Sequence, residues 1–416
     1  MAIVIPFKGI RPSNDKVHLV ASRAVDGYSK NELKEKLSGN PFSFLHVILP
    51  DVQDDKKTKP GSFERLQKVK NKFVHFIEEK IFIRDTSPCY YIYRQIKNEQ
   101  EFTGIIGCSS IEDYFNGTIK KHEDTLTDRV QKLKNYLEVC DFNAEPVLFS
   151  YPNDSIIDNL TLQLTVSSPS YDFTTTDKIR HQLWVVNQTE NIQLISNRFV
   201  KMPAIYIADG HHRSASSALL AKSRKEKNKN HTGIEPYNFY LGIFFPETQL
   251  KIYDFNRVVK DLNGIEKNIF LEKLLPHFSI INKGDKIYKA SGLHNFSMYL
   301  EKEWYSLTLK NNFLTDVNPS ENLDAYLLTK YILAPLLNIE DLRTNKRIGF
   351  VAGIKGMEEL KNQVDSGKAK VAFGLYPVSM KQLKEIADAN QIMPPKSTWI
   401  EPKMRNGLVV YSLSEK

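Results

Sequence analysis

Residues 203–227, PAIYIADGHHRSASSALLAKSRKEK, constrain this chain more than any other stretch. An apolar, β-favouring run over 204–208 stops at Asp209-Gly210. Small helix formers then follow His211, His212 and Arg213 without a gap. A strand that ends in a tight turn and opens straight into a helix gathers an acid, a flexible glycine, two imidazoles and a guanidinium at one corner.

The same kind of alternation recurs elsewhere. Residues 89–96 and 102–111 form two strand patterns across a short polar turn and are expected to make a hairpin. Strands are expected over 144–152, 181–187 and 237–245, and a helix from about 63 to 76 after an exposed, charged loop at 51–62. Over 120–140, Val130, Leu133, Leu137 and Cys140 recur at three- and four-residue spacings with acids early, which predicts an amphipathic helix. In the C-terminal third, strand, helix, strand and helix patterns follow one another, which argues for an α/β layer with some parallel pairing. The expected fold class is mixed α/β: a mixed sheet with flanking helices, not a bundle or a sandwich.

A chain of 416 residues suggests two or three packed units, and 41% hydrophobic against 25% charged residues is enough apolar material to fill them. Three consecutive regions are expected, at 1–143, 144–260 and 261–416. No apolar run approaches the roughly 20 residues of a bilayer span. The apolar start is broken at Pro6, too early for a signal-peptide core, so a cytoplasmic protein is expected. Cys89, Cys108 and Cys140 are too few and too irregularly spaced for a disulfide framework or zinc knuckle. The net charge of +8, from 57 basic against 49 acidic residues, permits nucleic acid without implying it.

At the corner, backbone N–H groups at the start of a helix attract anions, and Gly210 lets the chain turn with positive φ. Cations in a first helical turn oppose the helix dipole, so His211, His212 and Arg213 point to an anionic partner. Arg213 offers a planar fork for phosphate oxygens, and Asp209 could accept a proton or hold Mg²⁺. An Asp-Gly pair also serves simply to start a turn, and a histidine beside it can be a packed residue. Neither a P-loop nor a Gly-x-Gly-x-x-Gly run is present. Adjacent His211 and His212 project about 100° apart on a helix and so do not suit one shared metal ion.

A second candidate group is Lys121, His122 and Glu123, directly before Thr125, Asp128 and Arg129. Glu123 and Asp124 would equally serve as first-turn acids of the 120–140 helix. The segment 392–404, IMPPKSTWIEPKM, carries Lys396, Ser397 and Thr398 after two prolines, and reads as a rigid, packed connection.

Four separated motifs, PFKGIRP near the start, the KHE segment followed by Asp128-Arg129, YIADGHHRSAS, and IMPPKSTWIEPK, resemble the bacterial and archaeal family called domain of unknown function 1015. The run Asp209-Gly210-His211-His212-Arg213 is also similar to that of free serine kinases in the ParB/sulfiredoxin-like superfamily. That resemblance implies a phosphate-binding core in the 144–260 region, phosphates of ATP or ADP on the helix N-terminus, and Mg²⁺. It adds Glu123 as a second carboxylate; taken with the residue reading, Asp209, Glu123 and His122 are the expected catalytic residues, with Asp209 and Glu123 on the metal, and Gly210, His211, His212, Arg213 and Lys121 on the nucleotide. Sulfiredoxins place a cysteine in this run where the present chain has none, which disfavours sulfinic-acid repair. The expected partners are a nucleotide and a small hydroxylated substrate such as free serine. A ParB-like nucleotide-dependent DNA clamp is the alternative, although no helix-turn-helix pattern is evident.

Overall fold

Long alternating and apolar runs in the first half of the chain pair into one mixed sheet. In the computed structural model, which describes residues 1–414 except 53, 55 and 314–317, nine strands make up this sheet. Two residues of the expected loop at 51–62 therefore lie outside the described residues. The strand order runs Ile119–Lys120, Ile205–Asp209, Val147–Tyr151, Phe239–Pro246, Gln100–Ser110, Tyr90–Lys97, Arg180–Val186 and Tyr171–Thr174, and Val4–Ile5 pairs with Gln100–Ser110. Tyr90–Lys97 and Gln100–Ser110 form the expected antiparallel hairpin. Parallel pairing occurs twice, between Val147–Tyr151 and Phe239–Pro246 and between Ile119–Lys120 and Ile205–Asp209. The strands flanking the corner are thus tied on both sides before the chain turns.

The core against this sheet includes Phe149, Phe199, Ile205, Ile207 and Phe244, all fully buried. Each such side chain contributes about 1.5–3 kcal/mol relative to exposure. Helices Ser155–Leu164 and Thr189–Val200 supply Ile157, Ile195 and Phe199 to it. The His211–Lys227 helix buries small residues, Ser214, Ser216, Ser217 and Ala218 among them. Small side chains let it lie close against the Thr127–Cys140 helix.

That second helix begins at Thr127, later than the amphipathic pattern suggests. Glu123 and Asp124 therefore precede it, and Asp128 is its first-turn acid. The physical reason is Leu126, which is extended at φ −78° and ψ 121° and has its N–H taken by a side chain rather than by a helical carbonyl.

The described chain divides into two compact units, one of 1–120, 125–250 and 402–416, the other of 121–124 and 251–401. Both units are discontinuous in sequence. In the second unit a six-stranded sheet runs Phe278–Gly284, Glu303–Leu309, Asn295–Leu300, Val371–Gly374, Phe255–Val259 and Ile348–Ala352. Its pairs are antiparallel. The expected parallel pairing of the C-terminal strands does not occur there, because Phe255–Val259 arrives from earlier in the chain and inserts between Ile348–Ala352 and Val371–Gly374. Within this unit Arg257, fully buried, donates to the carbonyls of Phe255, Pro395 and Lys396 and so fixes the proline-rich segment. Among the described residues no helix is long and apolar enough to cross a membrane.

In the first unit, the chain around Arg405 is pinned to the sheet by a buried polar chain. Arg405 donates to both oxygens of Asp177 at 2.8 and 2.7 Å and from Nε to His181 Nε2 at 3.2 Å. With Nε2 accepting, the neutral imidazole carries its proton on Nδ1, 2.6 Å from the Tyr93 hydroxyl, which donates onward to Gln95. Burial, with the Arg405 charge beside it, pulls His181 down to about 3. Burial alone would push Asp177 up, but Arg405 and Thr175 bring it down to about 2.

Two predictions follow from this chain of contacts. Arg405→Ala should destabilise the fold by about 2–4 kcal/mol in denaturant melts, since it strands a carboxylate and an imidazole; a loss within error of zero would mean the segment is held by other contacts. Between its folded value of about 3 and the ordinary histidine value near 6.5, His181 binds a proton in the unfolded chain but not in the folded one. Stability should therefore fall as pH drops from about 6.5 towards 3, and His181→Gln should make that fall shallower; equal slopes in both proteins would contradict this reading.

Candidate functional site

The strand Ile205–Asp209 pairs regularly with Val147–Tyr151 at Tyr206 and Ile207, then shifts register so that Asp209 faces Leu148. A bulge of this kind re-aims the side chain that follows it. Gly210 then takes φ +111° and ψ 28°, and the helix starts at His211. A β-carbon at Gly210 would meet the Arg213 guanidinium at 3.0–3.1 Å. The position favours glycine for its left-handed backbone, which costs other residues about 1–2 kcal/mol, and a β-carbon there would also make the Arg213 guanidinium give way by a few tenths of an ångström.

No side chain caps this helix and its first turn holds no acid. N–H groups of a first turn have no acceptor within the helix, and they bring the positive end of the dipole to the corner. The three basic side chains there have separate tasks. His211 is buried, 3% exposed, and its imidazole is among the groups that lower the Asp209 carboxyl. His212 accepts the Leu126 N–H at Nε2, 3.0 Å, and so tethers the entrance of the Thr127–Cys140 helix. Arg213 donates to the Pro146 carbonyl, with Nε 3.9 Å from Glu145 and an NH2 nitrogen 3.8 Å from Asp209.

Asp209 has a further partner that sequence reasoning missed. Lys403 donates from Nζ to its Oδ2 at 2.8 Å across 194 residues, and each side chain is 41% exposed. Partial burial would push the Asp209 carboxyl up, but Lys403 and Arg213, with His211, outweigh it and hold the group well below the usual carboxylate range. Such a carboxylate is a weak proton acceptor and a constant negative charge at neutral pH. Lys403 closes the IMPPKSTWIEPK motif, whose Lys396, Ser397 and Thr398 lie in the other unit, and nothing in the local pattern pairs it with an acid 194 residues away.

Lys121, His122 and Glu123 also belong to that other unit. Lys121 and Glu123 are exposed, whereas His122 is 3% exposed and accepts the Met393 N–H at its carbonyl, 2.9 Å. Within the first unit the chain on either side of them is fixed, by the pairing of Lys120 with Tyr206 and by the Leu126–His212 bond. Among the described residues no three His, Cys, Asp or Glu side chains gather closely enough to hold a metal ion. The corner's donor set therefore fits Mg²⁺ only in the manner of nucleotide enzymes, with one or two carboxylates, phosphate oxygens and water.

The family model described as "Protein of unknown function (DUF1015)" matches residues 4–326, and the chain belongs to that family. No curated protein matches the sequence. Among solved structures, a free serine kinase mutant in complex with AMP is similar at 12% identity and a TM-score of 0.37, covering 72% of this chain and 88% of its own. SbnI with a C-terminal truncation, from Staphylococcus aureus, gives 13% and 0.36, covering 71% and 82%. A conserved hypothetical protein from Pyrococcus furiosus gives 13% and 0.35, covering 76% and 97%.

The geometry makes Lys403 the chief reason Asp209 titrates so low. In Lys403→Met the Asp209 carboxyl, followed by NMR, should titrate measurably higher, towards the ordinary value near 3.9. An unmoved midpoint would show that Arg213 and the helix end suffice without it.

Proposed function

We propose that this member of the DUF1015 family binds a nucleotide through its phosphates at the Asp209–Arg213 corner and transfers a phosphoryl group from ATP or ADP to a small hydroxylated metabolite. The observation that carries the reading is the junction itself. A left-handed glycine opens an uncapped helix N-terminus, and Arg213 and Lys403 converge on the Asp209 carboxylate beside it. Phosphoryl transfer asks mainly for positioning and charge neutralisation, which such a corner supplies.

In this reading Gly210 allows phosphate to approach the backbone. His211, Arg213 and Lys403 offset its charge, and His212 holds the Leu126 entrance beside it. Asp209, too weakly basic to be the first choice for taking a proton, fits a Mg²⁺ ligand; the ion would lower the charge of the phosphate oxygens it shares. The acceptor hydroxyl attacks the terminal phosphorus, a new O–P bond forms as the bond to the leaving phosphate breaks, and the hydroxyl proton passes to a base. The resemblance assigns that base and a metal-binding role to Glu123, with His122 and Lys121 as its neighbours, and it names free serine as the first acceptor to try.

Arg213→Ala removes one charge-assisted contact, worth about 1.5–3 kcal/mol, so calorimetry with Mg·ATP and Mg·ADP should show binding about tenfold to a hundredfold weaker. Affinity equal to wild type, or no nucleotide binding by the wild type, would overturn the proposal. Once an acceptor is found, Asp209→Asn should lower turnover about 100-fold or more at an unchanged melting temperature; an unchanged rate would remove Asp209 from the chemistry.

A further inference from the structure

A cavity of about 180 Å³ opens beside the corner, wholly within the first unit. Its walls are the facing sides of the Thr127–Cys140 and His211–Lys227 helices and the start of the Phe239–Pro246 strand. Phe44, Phe142, Tyr136 and Tyr240 line it, with Ser217 on the helix that begins at the corner. Phe142 meets Tyr136 edge-on at 6.0 Å between centroids, so the aromatic wall is built of ring edges as well as faces. Arg213 lines this cavity too. The same guanidinium that packs against Gly210 and lies 3.8 Å from Asp209 therefore borders both the anion corner and the apolar space.

A dry cavity of about 150 Å³ holds a benzene ring, so this one has room for a somewhat larger flat ring. Aromatic walls favour a planar guest through edge and face contacts, and serine and asparagine side chains among the lining, Ser217 and Asn143, provide hydrogen-bonding partners for a polar ring edge. A ligand that fills both places at once must join a flat heteroaromatic ring to a phosphate chain by a short linker.

We infer that the cavity is the nucleobase subsite of the ligand whose phosphates occupy the corner. The inference rests on the phosphate-binding reading above and adds to it the part of the ligand that gives selectivity and where that part sits. Ser217 is then a gate on base size: a larger side chain at 217 occupies the space a ring needs and leaves the phosphate-binding groups in place.

The test compares four kinds of probe by calorimetry: the nucleotides AMP and CMP, ribose 5-phosphate, inorganic tripolyphosphate, and the nucleosides adenosine and cytidine. The wild type should bind AMP or CMP at least tenfold more tightly than ribose 5-phosphate. Ser217→Leu should abolish that advantage and any nucleoside binding while leaving tripolyphosphate affinity within twofold. Leu133→Trp, which fills the cavity from the opposite helix, should do the same and guards against a folding defect in the first variant; melting temperatures are measured for both. Tripolyphosphate binding with AMP, CMP and ribose 5-phosphate all equal would overturn the subsite and leave the corner intact. Nucleoside binding lost in both variants, without tripolyphosphate binding, would support the subsite and overturn the corner. Binding of no probe would overturn both.

Discussion

The contact between Lys403 Nζ and Asp209 Oδ2 is the one on which the character of the site depends. It is half-exposed, and such a pair contributes at most about 1 kcal/mol to stability. Its consequence is electrostatic: it fixes the charge state of the acid and brings a second cation to a corner that already holds Arg213. Lys403 is held in place two residues from Arg405, whose guanidinium is locked between Asp177 and His181. A buried polar chain on one side of the sheet thus sets the position of a lysine at the mouth of the site.

The rest of the corner follows from backbone geometry. The register shift before Asp209 turns the acid outward, Gly210 redirects the chain, and the helix that follows starts without a cap. A first turn bearing His211, His212 and Arg213 would be a net cost in an isolated helix. Two of these residues offset that cost through tertiary contacts, His212 with Leu126 and Arg213 with Pro146 and Glu145. The arrangement places Arg213 both beside Gly210 and Asp209 and on the wall of the aromatic cavity, so that one ligand could span the two.

Much of this was legible in the sequence, and the residues show why. The 204–208 run followed by Asp209-Gly210 announces a strand that must turn, because a glycine between a β run and helix formers has few other uses. The strands Tyr90–Lys97, Gln100–Ser110, Val147–Tyr151, Arg180–Val186 and Phe239–Pro246 were equally visible as apolar or alternating runs, whereas the short strands Ile119–Lys120 and Tyr171–Thr174 and the helices Ser155–Leu164 and Thr189–Val200 were not. What could not be read were features set by distant residues. A lysine–carboxylate contact spanning 194 positions leaves no periodic trace, and the strand Phe255–Val259, inserting between two later strands, broke the pairing that their order suggested. The assignment of 121–124 to the second unit depends on contacts such as that between Met393 and His122, to which local pattern is blind.

The central claim is that the Asp209–Arg213 corner receives nucleotide phosphate, and a crystal structure of the chain with ADP and Mg²⁺ tests it most directly. The account predicts phosphate oxygens within hydrogen-bonding distance of the first-turn N–H groups after Gly210 and of Arg213, with Lys403 at the same phosphates. Nucleotide bound with its phosphates away from this helix, or a corner with no nucleotide at saturating concentration, would contradict it.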